Sequence, residues 1–203
     1  MPLKSQDDIY AFFEEESGYE FVRFYNENFE AGDRVYYYYY PFQEVCGKGN
    51  GITTFPFKIA NCFMVAVQKM IKFTRNKDIR SQKGSNWFSI TDDLARYVLS
   101  KKQRIKKVFF ATYCADEIFL QTLIWNSGFK DKLFHNKFDN DMHAIMRLII
   151  WEKNGPHVFT MEDKEMLEAT EFLFGRKFDV SVDEKIIASV RQRVLCNQKN
   201  WEE

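Results

Sequence analysis

Apolar and polar residues follow two spacings along this chain, one typical of helices and one of strands. Helical spacing predicts helices over Asp7–Glu16 (N-cap Ser5), Phe57–Phe73, Asp92–Lys101 (N-cap Thr91), Asp116–Trp125, Met161–Thr170 and Asp183–Cys196. Runs rich in aromatic and β-branched residues predict strands at Glu20–Tyr25, Arg34–Phe42, Trp87–Ile90 and Met146–Trp151. Helices and strands alternate, which predicts one domain over residues 1–203 with a layered α/β fold. The strands are few for so many helices, so we expect an incomplete sheet.

The segment Phe57–Phe73 is apolar on nearly every side of its predicted helix. Such a helix is either buried against the sheet or lies on a membrane surface. Burial is the simpler interpretation, and peripheral contact with a membrane is the alternative.

Composition narrows the class of protein. The 203 residues include 29 Lys and Arg and 29 Asp and Glu, so no basic excess favours nucleic-acid binding. Four cysteines lie far apart without a CxxC pair, and three histidines form no HExxH motif, so neither a disulfide scaffold nor a zinc hydrolase is expected. The first residues lack the apolar core of a signal peptide, which predicts a cytoplasmic location.

Two acidic residues, Asp116 and Glu117, come just before an apolar segment that is predicted to be helical. A helix N-terminus stabilises a carboxylate. An ionised, partly enclosed Glu117 is a suitable general base. The alternative is that both acids only stabilise the helix start, which is common.

A second candidate is the run Phe174–Asp179, in which Arg176 and Lys177 stand between aromatic residues. Paired cations bind a diphosphate and stabilise it as a leaving group. The alternative is a surface pair of cations, with Asp179 as a local ion-pair partner.

Two weaker patterns accompany them. Ser85 and Trp87 occupy a turn that leads into a strand, where the indole is suited either to a sugar ring or to the core. The DxD triplet Asp139-Asn140-Asp141 is the pattern by which some glycosyltransferases hold a divalent cation. It lies in a polar stretch, so we interpret it as a solvated loop and predict no metal site.

Taken together, these segments resemble the core-2/I-branching glycosyltransferases (glycosyltransferase family 14), which include the peptide xylosyltransferases. The resemblance covers nearly the whole chain and rests on segments in the family's order. They are Pro2–Ser5, Gly84–Thr91, Asp116–Phe119 with Gln121-Thr122, Arg147–Trp151, Gly155–His157, Phe159-Thr160 with Glu162-Asp163, and Arg176–Asp179.

The resemblance implies a GT-A-like, Rossmann-related fold and an inverting, metal-independent transfer of a sugar from a UDP-sugar to a glycan acceptor. The usual donor is UDP-N-acetylglucosamine, with UDP-xylose in other branches. The family's base falls on Glu117 and its diphosphate-binding lysine on Lys177, beside Arg176. Asp33 and Arg34 loosely match the pair that holds the acceptor, and Asp116, Ser85 and Trp87 are expected to contact acceptor or sugar. No cofactor is implied.

Two departures from the family pattern modify these expectations. Many relatives carry a basic residue after the Gly-Pro-His segment as a second diphosphate contact, and here only His157 is near. The family's segment like Pro2–Ser5 also lies in mid-domain, so we expect the chain to match the C-terminal portion of the domain and to lack its nucleotide-binding half. The alternative to an active enzyme is therefore an inactive remnant, a split half that needs a partner chain, or a protein that completes its site as a homo-oligomer.

Overall fold

The computed structural model describes residues 1–26, 35 and 54–196, which form a mixed α/β structure. The described helices are α1 (Gln6–Glu15), α2 (Phe55–Met70), α3 (Asp92–Ser100), α4 (Lys102–Val108), α5 (Phe119–Trp125), α6 (Lys164–Ala169) and α7 (Glu184–Cys196). The described strands are β1 (Phe21–Phe24), β2 (Gly84–Ser89), β3 (Arg147–Ile149), β4 (Trp151–Glu152), β5 (Gly155–Pro156) and β6 (Phe174–Arg176). The strand predicted over 34–42 lies outside the described residues, apart from Val35.

Helix α1 begins as the sequence predicts. The Ser5 side chain accepts a hydrogen bond from the backbone N–H of Asp8, and the Asp8 carboxylate accepts one from Ser5, which completes a capping box. Helix α3 begins similarly, at Thr91. Here the buried carboxylate of Glu20 also accepts hydrogen bonds from the Thr91 N–H (2.9 Å) and hydroxyl (2.6 Å), so the start of α3 is tied to the residue before β1.

Strands β1 and β2 pair antiparallel, with Val22 opposite Phe88 and Phe24 opposite Gly84. A side chain at Gly84 would not fit, because a Cβ atom there would lie 1.8 Å from the Arg23 carbonyl oxygen. The glycine therefore permits the close approach that holds β2 in place.

Strands β3 and β6 pair parallel, with Leu148 opposite Gly175. The strand predicted over Met146–Trp151 is thus only partly correct. Met146 has a left-handed backbone (φ 48°), so β3 begins after it, and Trp151 starts a separate short hairpin, β4–β5. Strand β6 itself was not predicted, because three residues leave too short a pattern.

Under the β3–β6 pair lies an apolar cluster drawn from distant parts of the chain. Its buried members are Leu3, Phe159, Leu167, Ile186 and Val190. Ile186 and Val190 lie about one turn apart on α7, and Ile187 and Val194 of the same helix pack at the margin of the cluster. The guanidinium of Arg193 ties the layers together by donating to the carbonyls of Leu3 (2.9 Å) and Leu167 (3.1 Å).

Helix α2 has an orientation that the sequence did not predict. Its one buried residue is the polar Asn61, whereas Phe55, Ile59 and Phe63 are more than half exposed. Among the described residues, no helix is both long and apolar enough to cross a membrane.

Candidate functional site

A groove of about 590 Å³ opens where β6 meets β2 and β3. It brings together residues of two motifs that the sequence singled out separately: Trp87 from one, and Arg176 and Lys177 from the other. The remaining lining residues are Met1, Arg147, Ile149, Phe174, Gly175 and Phe178.

The two predicted cations of the groove are held differently. The guanidinium carbon of Arg176 lies 4.2 Å from the centre of the Trp87 ring, a close cation–π contact. The Lys177 ammonium lies 3.4 Å from the Asp179 carboxylate, and both side chains remain partly exposed. Hydrogen bonds from Ser181 and then the charge of Lys177 lower the pKa of Asp179. Both interpretations of this run thus have a structural counterpart, a local ion pair and a cationic groove edge.

Arg147 is a third cation of the groove, and the sequence reasoning assigned it no role. Its guanidinium donates to the carbonyl of Ile145 (2.8 Å) and weakly to Ser89 (3.3 Å), and burial lowers its pKa. It also lies 5.1 Å from the centre of the Phe174 ring. The signal that could have found it is a lone cation at the start of an apolar strand, since such a charge is costly to bury without a purpose.

Strand β2 links this groove to the acidic turn. The Asn86 amide, next to Trp87, donates to the Asp116 carboxylate (3.0 Å), and the Lys83 ammonium lies 3.0 Å from the Glu117 carboxylate. Glu117 remains about one third exposed and Lys83 is largely buried. The turn therefore presents Glu117 beside the same strand that carries Trp87.

The acidic turn differs in form from the prediction. The two acids lie in a 3-10 turn, Ala115–Glu117, and α5 begins only at Phe119, because Ile118 has a non-helical backbone (φ −128°, ψ −39°). Left-handed Cys114 precedes the turn. Among the described residues, the positive group beside Glu117 is thus the ammonium of Lys83, and not the helix N-terminus that the sequence predicted.

Ser85 is buried and serves the backbone of β2. Its hydroxyl accepts a hydrogen bond from the Trp87 N–H (3.1 Å), and its carbonyl accepts one from the Gln121 amide (2.7 Å). The predicted contact of Ser85 with substrate stays a prediction, and its observed contacts orient Trp87.

His157 lies between two carboxylates. Its Nδ1 is 2.8 Å from Glu152 and its Nε2 is 3.0 Å from Asp163. The hydrogen bond to Asp163, with a smaller effect of Glu152, raises the pKa of His157. Its backbone carbonyl accepts from the Lys177 N–H (3.2 Å), so His157 neighbours the diphosphate candidate through the main chain.

A second groove has a volume of about 510 Å³. It is lined by Arg23, Tyr25, Asn26, Asn140 and Trp151, and the indole of Trp151 is 57% exposed. The Lys83 ammonium that pairs with Glu117 also lies 5.1 Å from the centre of the Tyr25 ring. The sequence reasoning missed this groove, since its residues come from three separate segments of the chain.

Of the remaining candidates, the DxD triplet reaches the second groove through Asn140, and two residues lie outside the described part of the chain. Asp139 and Asp141 of the DxD triplet, with His135, offer possible ligand atoms within 4.8 Å of one another, and each acid is hydrogen-bonded locally. The prediction that they hold no metal stays a prediction. Asp33 and Arg34, the loose match to the acceptor pair, lie outside the described residues.

Two comparisons with known proteins bear on these grooves. The family model described as "Core-2/I-Branching enzyme" matches residues 1–173. A curated protein of Caenorhabditis briggsae, "Xylosyltransferase sqv-6", is 28% identical over 152 residues, which cover 65% of this chain and 19% of that protein. The chain thus spans about a fifth of the length of this relative.

The mixed α/β chain, with its cationic groove and acidic turn, belongs to the core-2/I-branching enzyme family, because the family model covers most of its length. The match confirms the resemblance drawn from the sequence motifs. It includes Glu117 and Trp87 and ends before Arg176 and Lys177, so the roles of these two cations depend on the groove geometry.

Proposed function

We propose that this chain takes part in glycosyl transfer, moving a sugar from a UDP-sugar to a hydroxyl group of a glycan acceptor. The observation that carries the proposal is the meeting of Trp87, Arg176 and Lys177 in one groove, joined by β2 to the acidic turn of Glu117. Membership of the branching-enzyme family supports the same reaction class. We also propose a GT-A-like arrangement of the strands.

Glu117 is the proposed general base. Its carboxylate takes the proton of the acceptor hydroxyl as that oxygen bonds to the anomeric carbon and the bond to the UDP oxygen breaks. Attack opposite the leaving group inverts the anomeric configuration. Lys83, 3.0 Å away, orients the carboxylate before the acceptor arrives.

Lys177 and Arg176 are the proposed diphosphate ligands. The leaving UDP gains negative charge as the glycosidic bond breaks, and cations at the groove edge stabilise that charge. Lys177 already interacts with one anionic group, Asp179, and a diphosphate would compete for it. Two protein cations supply the charge that a divalent ion supplies in other enzymes, so we propose that transfer needs no metal.

The sugar and the acceptor are assigned to the two grooves. Trp87, with Arg176 displaced from its ring, offers an aromatic face to the donor sugar, and Asp116 offers a hydrogen-bond acceptor nearby. The second groove, with the exposed Trp151, suits the acceptor, because an indole covers the apolar face of a sugar ring. N-acetylglucosamine is the proposed donor sugar, and xylose is the alternative that the name of the relative supports.

Calorimetric titration of the chain with UDP in EDTA tests the diphosphate assignment. We expect micromolar binding that weakens about 10-fold or more in Lys177→Ala, because a charge-assisted contact contributes about 1.5–3 kcal/mol. Lys164→Ala is the matched control, since Lys164 is equally exposed (44% against 42%) and also pairs with a carboxylate.

Two outcomes would contradict the proposal. One is equal UDP affinity in Lys177→Ala and Lys164→Ala. The other is the absence of binding by a chain that circular dichroism shows to be folded. Binding that appears only with added magnesium or manganese would contradict the metal-independent form of the proposal alone.

A further inference from the structure

The exposed side of α2 is apolar, which is the reverse of a helix that packs on a core. Phe55, Ile59, Phe63 and Met70 are 54–76% exposed. At 3.6 residues per turn they fall within an arc of about 80°, with Ala66 inside that arc and Cys62 about 20° beyond its edge. The stripe then continues past the helix end with Ile71 and Phe73. We call these six large residues the α2 stripe.

The inner side of α2 does not bury a large apolar side chain completely. The buried residue is Asn61, on the side of the helix away from the α2 stripe. Exposure of large apolar side chains such as Phe55 and Phe63 to water costs free energy unless another surface covers them. The α2 stripe therefore has the form of a contact surface.

The charges around the α2 stripe indicate what it contacts. From Thr54 to Lys77 the sequence has no Asp or Glu and five cations: Lys58, Lys69, Lys72, Arg75 and Lys77. Arg75 is buried and donates to the Phe110 carbonyl, whereas Lys69, Lys72 and Lys77 are exposed and Lys58 is half-buried. This local excess is notable in a chain whose total charge is zero.

Lys58 and Lys69 border the α2 stripe on one flank of the helix, and Lys72 and Lys77 follow its end. Bulky apolar residues on one side with lysines alongside are the pattern of a helix that lies flat in a lipid headgroup layer. Lysine stems extend along the apolar layer while their ammonium groups reach the phosphates. Aromatic residues are suited to that depth.

We propose that the α2 stripe docks on a lipid bilayer that carries anionic headgroups. The apolar side chains enter the boundary between headgroups and acyl chains, and the four lysines neutralise lipid phosphates. Helix α2 lies parallel to the surface. The inference rests on α2 and its flanks alone, so it is independent of the proposed glycosyl transfer and can fail without it.

Co-sedimentation with vesicles is the first test, made on the full chain. We expect binding to vesicles of phosphatidylcholine with 30% phosphatidylglycerol, and much weaker binding to phosphatidylcholine alone. Each lysine near an anionic surface adds about fivefold to affinity at physiological ionic strength, so added salt should release the protein. Phe63→Ser should lower the partition coefficient about 10-fold or more.

Tyr10→Ser is the matched control. Tyr10 is as exposed as Phe63 (65% against 68%), but it lies on α1 among Asp7, Asp8, Glu14 and Glu15. Its removal should leave vesicle binding unchanged. A nitroxide on Cys62, with the other three cysteines replaced by serine, should report a position below the phosphates.

Three results would overturn the proposal. The wild-type chain could stay in the supernatant with every vesicle. Phe63→Ser and Tyr10→Ser could bind equally, which would place the contact elsewhere on the chain. The chain could also form a dimer in sedimentation equilibrium that Phe63→Ser dissociates, with no vesicle binding, which would make a second copy the occupant of the α2 stripe.

Discussion

Glu117 is the residue whose role is most open to a direct test. Glu117→Gln keeps the shape of the side chain and removes its basicity, so kcat for sugar transfer should fall about 10²–10⁴-fold. UDP affinity should change little, since the change lies in the acidic turn. Steady-state kinetics and calorimetry on the same preparations check both expectations.

Glu168→Gln is the control for Glu117→Gln, because Glu168 is also partly exposed and pairs with a lysine at 3.8 Å on α6. It should retain wild-type kcat. Transfer by Glu117→Gln at a rate near that of Glu168→Gln would remove Glu117 as the base.

His157 gives the protein a pH-dependent contribution to stability. Its pKa is raised from about 6.5 by Asp163 and Glu152, so the protonated ring is bound more tightly in the folded state. That contribution is complete below the ordinary pKa and is lost as the pH rises through the raised pKa. His157→Gln should therefore lower the free energy of unfolding more at pH 5.5 than at pH 8.5.

Urea unfolding of wild type and His157→Gln at both pH values measures this difference. The difference between wild type and variant cancels the contribution of His143, which titrates in both proteins. The pKa of His143 is also raised, because the lowering effect of burial is outweighed by hydrogen bonds to Asp141 and Glu171. A stability loss that is equal at the two pH values would mean that the folded state does not favour the protonated ring.

At the scale of elements, β2 depends on a single glycine. Gly84→Ala would place a Cβ against the Arg23 carbonyl, so β2 must shift away from β1. We expect a loss of more than about 2 kcal/mol in stability, from overpacking against a backbone that cannot yield. Weaker UDP binding should follow, because Trp87 and Asn86 move with the strand.

Gly128→Ala is the control for that change. No atom lies within 4 Å of the position of its Cβ, and its φ is not in the left-handed range. Its effect on the free energy of unfolding should be within about 1 kcal/mol of zero. Equal urea midpoints for the two variants would contradict the close contact between Gly84 and the Arg23 carbonyl.

Some helix and strand boundaries were predictable from the sequence and others were not. Local signals gave α1 and α3 with their caps, because Ser5 and Thr91 act within one turn of the chain. The break at Ile118 and the end of β3 were not predictable, since they depend on backbone angles set by neighbours distant in sequence.

The candidate site divides in the same way. The residue types in the short motifs pointed to Glu117, Arg176 and Lys177 without any coordinates. In the sequence, Arg147 stands out only as a lone cation at the start of an apolar strand, and Trp151 looks like an ordinary member of that strand. Packing places them at the two grooves. The sequence did not predict which side of α2 faces the rest of the protein, because apolar residues occur on nearly every side of this helix.

At the scale of the whole molecule, the apolar cluster below β3–β6 joins both ends of the described chain. Ile186→Ala removes a side chain that is fully buried among Leu3, Phe159 and Leu167. It should destabilise the protein by about 2–5 kcal/mol. The neighbouring Ile187→Ala, at a partly buried position, should cost clearly less. Thermal or urea unfolding of the two variants tests the ranking, and an equal loss would contradict the packing of α7.

The contact of Arg176 with Trp87 suggests a fluorescence measurement of ligand binding. A guanidinium 4.2 Å from an indole changes the light that the indole emits, and a sugar or diphosphate that draws Arg176 away would change it again. The ring of Trp125 also has a guanidinium near it, that of Arg80 at 4.4 Å, so we expect emission to report groove filling once Trp125, Trp151 and Trp201 are replaced by phenylalanine. It could follow donor arrival in real time, without a label and without waiting for product.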